Sequence, residues 1–226
     1  MALFSRRDED IERMNWSSKA MSEDDYHELE RLSPDRKYEY LYGKVYMMSG
    51  GSIGHDRIRR NIESTLDRLL GSGPCQVFGV DVQVLLGTKK NGKPHYVYPD
   101  STVSCNIADG QRDNTLVKEP RVVIEVLSPG TEAKDRGIKF RAYQHTSTIQ
   151  EIVLVNQYLP YIEVWQRNEE HPENPDAWRC HHYSAHQTVA LVSLGIQLAM
   201  EEIYRNLGFE EEIEDEEDEE DGVEDD

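Results

Sequence analysis

The apolar and polar positions of the chain alternate over short distances, which indicates a series of short strands and helices. Residues 38–50 (YEYLYGKVYMMSG) are rich in aromatic and β-branched side chains and predict a hairpin that turns at Tyr42 and Gly43. The next segment predicts a helix that ends at Gly71, because its apolar residues recur at helical spacing. Those apolar residues are Ile58, Ile62, Leu66, Leu69 and Leu70.

The middle of the chain has the pattern of strands. Residues 76–86 (QVFGVDVQVLL) alternate as one strand, and residues 95–105 (HYVYPDSTVSC) predict a second strand with an irregularity at Pro99. Residues 121–129 (RVVIEVLSP) are almost continuously apolar. Such a run is typical of a strand that is buried on both faces in the centre of a sheet.

A helix and further strands follow this apolar run. Residues 131–146 (TEAKDRGIKFRAYQHT) predict a helix, and residues 150–157 and 161–168 predict strands. The strand–helix–strand unit over residues 121–157 predicts a local parallel crossover. The order of elements therefore predicts an α/β or α+β domain in which helices flank a mixed central sheet.

Charge divides the 226-residue chain into a body and a tail. The net charge is −19, yet residues 209–226 hold 14 acidic residues and no basic residue, which leaves the first 208 residues at −5. We predict a flexible arm over residues 1–20, a folded domain over residues 21–208 and a disordered acidic tail over residues 209–226. The tail is interpreted either as a solubilising segment or as a nucleic-acid mimic that competes for a basic groove.

Composition also bears on the compartment. No apolar run approaches the roughly 18 residues that a membrane-spanning helix needs, and the arginines near the start have no apolar stretch behind them, so neither a membrane anchor nor a secretory signal is expected. The cysteines, Cys75, Cys105 and Cys180, are odd in number and far apart. We therefore expect no disulfide framework and a reducing cytoplasm as the compartment.

Two carboxylates stand among apolar neighbours in predicted strands. Glu125 interrupts the run VVIEVL, and Asp100 follows Pro99 in YVYPDSTV. An ionised carboxylate in such a strand is costly unless it is paired or binds a metal. On neighbouring strands the two could share Mg²⁺ or Mn²⁺, both of which prefer oxygen ligands. The alternative is that each carboxylate caps a strand end or pairs with an arginine.

The predicted helix at residues 131–146 supplies positive charge near Glu125. Arg136, Lys139 and Tyr143 follow one another at i, i+3 and i+7, so they are predicted to share one face. A lysine at this place can stabilise negative charge on a phosphate or orient a water. The alternative is an ordinary solvated basic face.

Taken in order, the segments YEYLYGKVYMMSG, GHDRI, YPDSTV, VVIEVLSPGTEAKDRGIKFRAYQ and EIVLVNQ resemble the Uma-type restriction-endonuclease-like family. This bacterial family is a branch of the PD-(D/E)xK nuclease superfamily, and the resemblance covers roughly residues 20–205. It implies a restriction-endonuclease-like fold and Mg²⁺-dependent hydrolysis of DNA phosphodiester bonds.

The resemblance also implies roles for single residues. Asp100 and Glu125 match the metal ligands, and Glu39 matches a further acidic position that completes the metal shell. The parent superfamily has a lysine two residues after the glutamate, where this chain has Leu127. In the Uma-type branch the lysine of the helix replaces it, which here is Lys139.

Further residues are candidates for the rim of the site. His55 matches a recurrent histidine at the pocket edge, although a helix-start residue without chemistry is an equal alternative. Backbone phosphate contacts are predicted for the arginines of the two helices, which are Arg57, Arg59, Arg60, Arg136 and Arg141. DNA is the expected partner, and a homodimer is left open. The alternative functions are a catalytically silent nuclease-fold protein that binds nucleic acid or a protein, and a different metal-dependent phosphodiesterase that acts on RNA or a modified base.

Overall fold

The computed structural model describes residues 20–48, 50–87, 94–168, 170 and 177–209. The predicted arm and acidic tail lie outside these residues, apart from Ala20 and Phe209. Among the described residues, no helix combines the length and the apolar character that crossing a membrane requires.

The described residues form helices and strands that are interspersed along the chain, as expected for a mixed fold. They are α1 (Glu23–Leu32), β1 (Tyr38–Leu41), β2 (Lys44–Met47), α2 (Ile53–Leu70), β3 (Gln76–Gly79), β4 (Gln83–Leu86), β5 (His95–Val97), β6 (Ser101–Ser104), β7 (Leu116–Val117), β8 (Pro120–Leu127), α3 (Glu132–Lys134), a π-helical turn (Asp135–Lys139), α4 (Phe140–Gln144), β9 (Glu151–Asn156), β10 (Tyr161–Arg167), β11 (Trp178–Ser184), β12 (Thr188–Leu191), a 3₁₀ turn (Val192–Leu194), β13 (Ile196–Ala199) and α5 (Met200–Ile203).

A six-stranded sheet in the order β11-β10-β9-β8-β6-β3 forms the centre of the fold. Strands β8 and β9 are parallel and the other neighbours are antiparallel, which confirms the predicted crossover. Alternate residues of β8 face opposite sides. Val122, Ile124 and Val126 pack with α2, whereas Val123 and Leu127 pack with α4, so Glu125 faces the α4 side.

A second sheet, in the order β2-β1-β5-β4-β7, covers this other side. Leu41 and Val97 share one apolar cluster with Val123 of the central sheet. Strand β1 presents alternate residues to its two faces. Tyr38 and Tyr40 pack with α1, while Glu39 and Leu41 point toward the central sheet. Glu39 is fully buried.

Two predicted elements are confirmed together with their ends. The hairpin turns at Tyr42 and Gly43, both of which have positive φ, as a two-residue turn between right-twisted strands requires. Helix α2 begins after Ser52, whose hydroxyl accepts a hydrogen bond from the His55 N–H at 3.1 Å, and it ends at Gly71.

Two predicted strands are wrong in extent. Residues 76–86 form β3 and β4, and residues 95–105 form β5 and β6; in each case the two strands belong to different sheets. The Val82 N–H donates to the Gly79 carbonyl at 3.0 Å, which makes a turn inside the first segment. Alternation of apolar and polar residues indicates an extended strand, but it does not identify the strand to which that strand is hydrogen-bonded. As a result, Pro99 and Asp100 lie where the chain crosses from one sheet to the other.

The expectation of no disulfide is also wrong, because Cys75 and Cys105 are bonded and Cys180 is free. Strands β3 and β6 pair so that Gln76 faces Ser104, which places the two cysteines opposite each other just beyond the strand ends. Their separation of 30 residues along the chain gives no sign of this pairing. The cytoplasmic compartment stays a prediction.

The packing of α2 on the central sheet is tested at Leu66, which is fully buried. We expect Leu66→Ala to lower the free energy of unfolding by about 2–5 kcal/mol, because it removes buried methyl groups and leaves a cavity. Leu159→Ala is the matched control at a leucine that is 49% exposed, and it should change the free energy by less than about 0.5 kcal/mol. Urea denaturation measures both, and equal losses would contradict the assigned burial.

Candidate active site

A cleft of about 1250 Å³ opens between the first hairpin, the start of α2 and the helical segment over residues 132–144. Its lining is rich in ionisable side chains that come from both sheets and from the helices. They include Glu39, His55, Arg59, Asp100, Glu125, Lys134, Asp135 and Lys139.

Glu125 is held at the floor of this cleft by the helical segment. The Lys139 ammonium nitrogen Nζ lies 2.7 Å from Glu125 Oε1, and the Tyr143 hydroxyl donates to the same oxygen. All three side chains are buried. The prediction that Lys139 and Tyr143 lie near the end of the Glu125 strand therefore agrees with their positions.

Asp100 lies beside Glu125 although it comes from another part of the chain. The Val126 N–H donates to Asp100 Oδ2 at 2.7 Å, so this carboxylate is fixed to β8 one residue beyond Glu125. The two carboxylates are close enough that the charge of Asp100 contributes to raising the pKa of Glu125. The predicted neighbourhood of the two acids is thus present in the structure.

His55 contacts Asp100 and lines the cleft. Its Nε2 lies 3.2 Å from Asp100 Oδ2. Burial favours the neutral imidazole, but the hydrogen bond and the negative charge of Asp100 outweigh it and raise the pKa of His55. His55 is therefore placed to hold Asp100 in one orientation, which goes beyond a helix-start role.

Glu39 binds lysines in this structure. Its Oε2 lies 2.7 Å from Lys134 Nζ, while its Oε1 lies 2.9 Å from Lys139 Nζ and accepts the Tyr98 N–H at 3.2 Å. Burial opposes its ionisation, but the two lysines lower the pKa of Glu39 below its ordinary value. Both oxygens are thus engaged, which does not fit the predicted third metal ligand. Within the described ranges, no group of three or more His, Cys, Asp or Glu side chains is arranged to hold a metal.

The floor of the cleft carries more negative than positive groups. Lys139 lies within ion-pair distance of Glu39, Glu125 and Asp135, the last at 3.6 Å. Burial and the nearby charges of Asp135, Asp100 and Glu39 raise the pKa of Glu125 to about 8 against the attraction of Lys139. Burial also raises the pKa of Asp135. A divalent cation would offset this excess, and Asp100 with Glu125 suits Mg²⁺, which commonly uses one or two carboxylates and keeps several waters.

Arg136 does not share the cleft-facing side of the helical segment, contrary to the prediction. Its guanidinium binds Glu163 at 2.7 and 3.0 Å and Glu132 at 2.8 Å. Residues 135–139 form a π-helical turn, which is wider than an α-helical turn and changes which positions align. Asp135, rather than Arg136, lies beside Lys139.

The arginines of α2 have different surroundings, and their phosphate contacts stay a prediction. Arg57 is exposed and is not part of the cleft lining. Arg59 does line the cleft, where its guanidinium binds Asp56 at 2.5 Å and Glu63 at 2.9 Å. Lys134 was not predicted to be part of the site. It is held there by its ion pair with Glu39, which belongs to the second sheet and is distant along the chain.

A family comparison identifies the family of the chain. A model of the Uma2 family, described as "Putative restriction endonuclease", matches residues 23–201. The chain belongs to the Uma2 family. "Uncharacterized protein slr1290" of Synechocystis sp. is 33% identical over 173 residues, which cover 76% of this chain and 86% of that protein. "Uncharacterized protein sll1609" of the same organism is 27% identical over 135 residues, which cover 58% of this chain and 72% of that protein.

A solved structure from Anabaena variabilis, titled as "a putative nuclease belonging to DUF820", has the same fold as this Uma2 protein. The TM-score is 0.58 at 16% identity, and the match covers 75% of this chain and 90% of that one. This confirms the predicted restriction-endonuclease-like fold class. Family and fold together support a nuclease of the restriction-endonuclease type.

The raised pKa of Glu125 predicts how stability depends on pH when metal is removed. The folded state keeps a proton on Glu125 up to a pKa of about 8, whereas an unfolded glutamate releases it near its ordinary value of 4.5. Raising the pH through this window should therefore lower the free energy of unfolding.

Urea unfolding in EDTA at several pH values tests this expectation. The loss of stability with rising pH should be smaller in Glu125→Gln, which has no proton to release. Glu119→Gln, at an exposed glutamate, is the control and should behave like the unaltered protein. Identical pH profiles for Glu125→Gln and the unaltered protein would contradict the assignment.

Proposed function

We propose that this Uma2 protein is a Mg²⁺-dependent endonuclease that hydrolyses phosphodiester bonds of DNA. The observation that carries the proposal is the convergence of Asp100, Glu125 and Lys139 on the floor of one cleft. Buried charges are costly to keep, and replacing them by apolar residues is often neutral or stabilising. Their presence together therefore favours chemistry over packing.

Asp100 and Glu125 would hold the cation, with Mn²⁺ as a substitute for Mg²⁺. When bound, such an ion lowers the pKa of a water and neutralises charge that develops on the phosphate. Glu39 is left out of this ligand set, because both of its oxygens bind other groups.

The surrounding side chains of this chain orient the carboxylates. His55 fixes Asp100, while Lys139 and Tyr143 fix Glu125 through Oε1. Lys139 thereby also balances part of the negative charge near the reacting phosphate.

A catalytically silent nuclease-fold protein is the competing function. One observation favours it, because three carboxylates surround Lys139 and leave it 3% exposed, which restricts its access to a substrate. An active enzyme and a silent binding protein differ in a direct assay of DNA cutting.

Supercoiled plasmid with Mg²⁺ or Mn²⁺ provides that assay. We expect nicking or linearisation by the unaltered protein, loss of cutting in EDTA, and a decrease of at least about 100-fold in Asp100→Asn, because several kcal/mol of transition-state stabilisation depend on the ion. Asp113→Asn, at an exposed aspartate outside the cleft lining, should cut normally.

The outcomes separate the alternatives. Cutting that survives both EDTA and Asp100→Asn would refute the site. Tight DNA binding by the unaltered protein without any cutting would support the silent binding protein instead.

A further inference from the structure

Lys134 differs from Lys139 because it is fixed by one carboxylate of the cleft floor and stays partly exposed. Arg36 and Lys37 also line the cleft, but Lys37 pairs with Asp81, which is not part of the cleft lining. Resting on the proposed function, we infer that Lys134 binds a backbone phosphate of the nucleic acid beside the carboxylates, and that Lys139 does not contact the substrate.

The surroundings of the two lysines differ sharply. Lys139 is 3% exposed and has carboxylates of Glu39, Glu125 and Asp135 around it. Lys134 is 21% exposed and lines the cleft, and among the described residues its ion pair is with Glu39. A phosphate that bound Lys139 would have to compete with three carboxylates around a buried ammonium, whereas Lys134 is partly exposed and has one carboxylate partner.

Lys134 is held in place before any substrate arrives. Its Nζ lies 2.7 Å from Glu39 Oε2 and 5.9 Å from the centre of the Tyr46 ring. Glu39 is itself fixed, since it is fully buried and its other oxygen binds Lys139 and the Tyr98 N–H. An ammonium group has three N–H donors, so one bond to Glu39 leaves donors for phosphate oxygens.

The neighbouring arginines are less suited to this role. Arg59 already binds Asp56 and Glu63, and Arg136 binds Glu132 and Glu163 outside the cleft lining. The charge of each guanidinium is therefore already offset by two carboxylates. Lys134 would keep its single carboxylate and add the phosphate, in a cleft where an anionic substrate otherwise meets an excess of acids.

The salt dependence of DNA binding separates a phosphate contact from a purely structural role. Each phosphate that a lysine neutralises contributes about −0.9 to the slope of log K against log salt concentration. We would measure binding of a fluorescent duplex DNA in the Asp100→Asn background, which is expected not to cut. Lys134→Gln should weaken binding several-fold and make the slope shallower by about 0.9, while Lys134→Arg should keep the original slope.

Two controls keep the test independent of folding. Lys118→Gln, at an exposed lysine outside the cleft lining, should leave the slope unchanged. Because Lys134→Gln leaves the buried Glu39 with one partner fewer, Glu39→Gln is also compared with the double variant Glu39→Gln/Lys134→Gln. The same difference in slope is expected between these two.

The possible results distinguish this inference from the proposed function. If the unaltered protein cuts DNA but Lys134→Gln keeps the full slope, the inference is wrong and the nuclease function stands. If the unaltered protein binds DNA without cutting, the proposed function is wrong, and the slope still decides the role of Lys134. Absence of DNA binding by the unaltered protein would overturn both.

Discussion

The geometry of the site depends on the ion pairs of the buried Lys139 ammonium. Lys139 binds Glu39 from the second sheet and Glu125 from the central sheet, while its own backbone belongs to the π-helical turn. Removing one member of a buried ion pair commonly costs about 3–5 kcal/mol, since the remaining charge has no partner. The two sheets and the helical segment are thereby held at one spacing, and the cleft lies along the line where they meet.

This constraint assigns different tasks to residues of similar chemistry. Glu39 lies next to two lysines, which lower its pKa. Glu125 is buried near other carboxylates, and its pKa is raised. Asp100 is tied to the backbone of β8 and to His55. The pair that remains available to a cation is therefore Asp100 with Glu125, and of the two lysines that bind Glu39, Lys134 is the more exposed.

The sequence predicted the proximity of Glu125 and Lys139 better than it predicted the sheets. Glu125 stands out as a carboxylate in an apolar strand, and its parallel crossover brings Lys139 back toward it along a short connection. The division of residues 76–86 and 95–105 between two sheets could not be predicted, because alternation looks the same in either sheet. The pairing of Cys75 with Cys105 depends on the same strand register.

Sequence periodicity likewise could not predict the contacts of the helical segment. The prediction that Arg136, Lys139 and Tyr143 share one face assumed regular α-helical spacing. In the π-helical turn, Asp135 instead of Arg136 lies beside Lys139. The lysine-binding role of Glu39 depends on the approach of two sheets, which a local pattern does not encode.

We propose that Asp100 and Glu125 form a cation site among an excess of buried carboxylates. Titration of Mn²⁺ into the metal-free protein, followed by electron paramagnetic resonance, tests it most directly. We expect a single bound Mn²⁺ per chain, with an affinity that increases as the pH rises toward the Glu125 pKa of about 8 and that is lost in Asp100→Asn. Failure of the unaltered protein to bind Mn²⁺, or equal binding by Asp100→Asn, would contradict it.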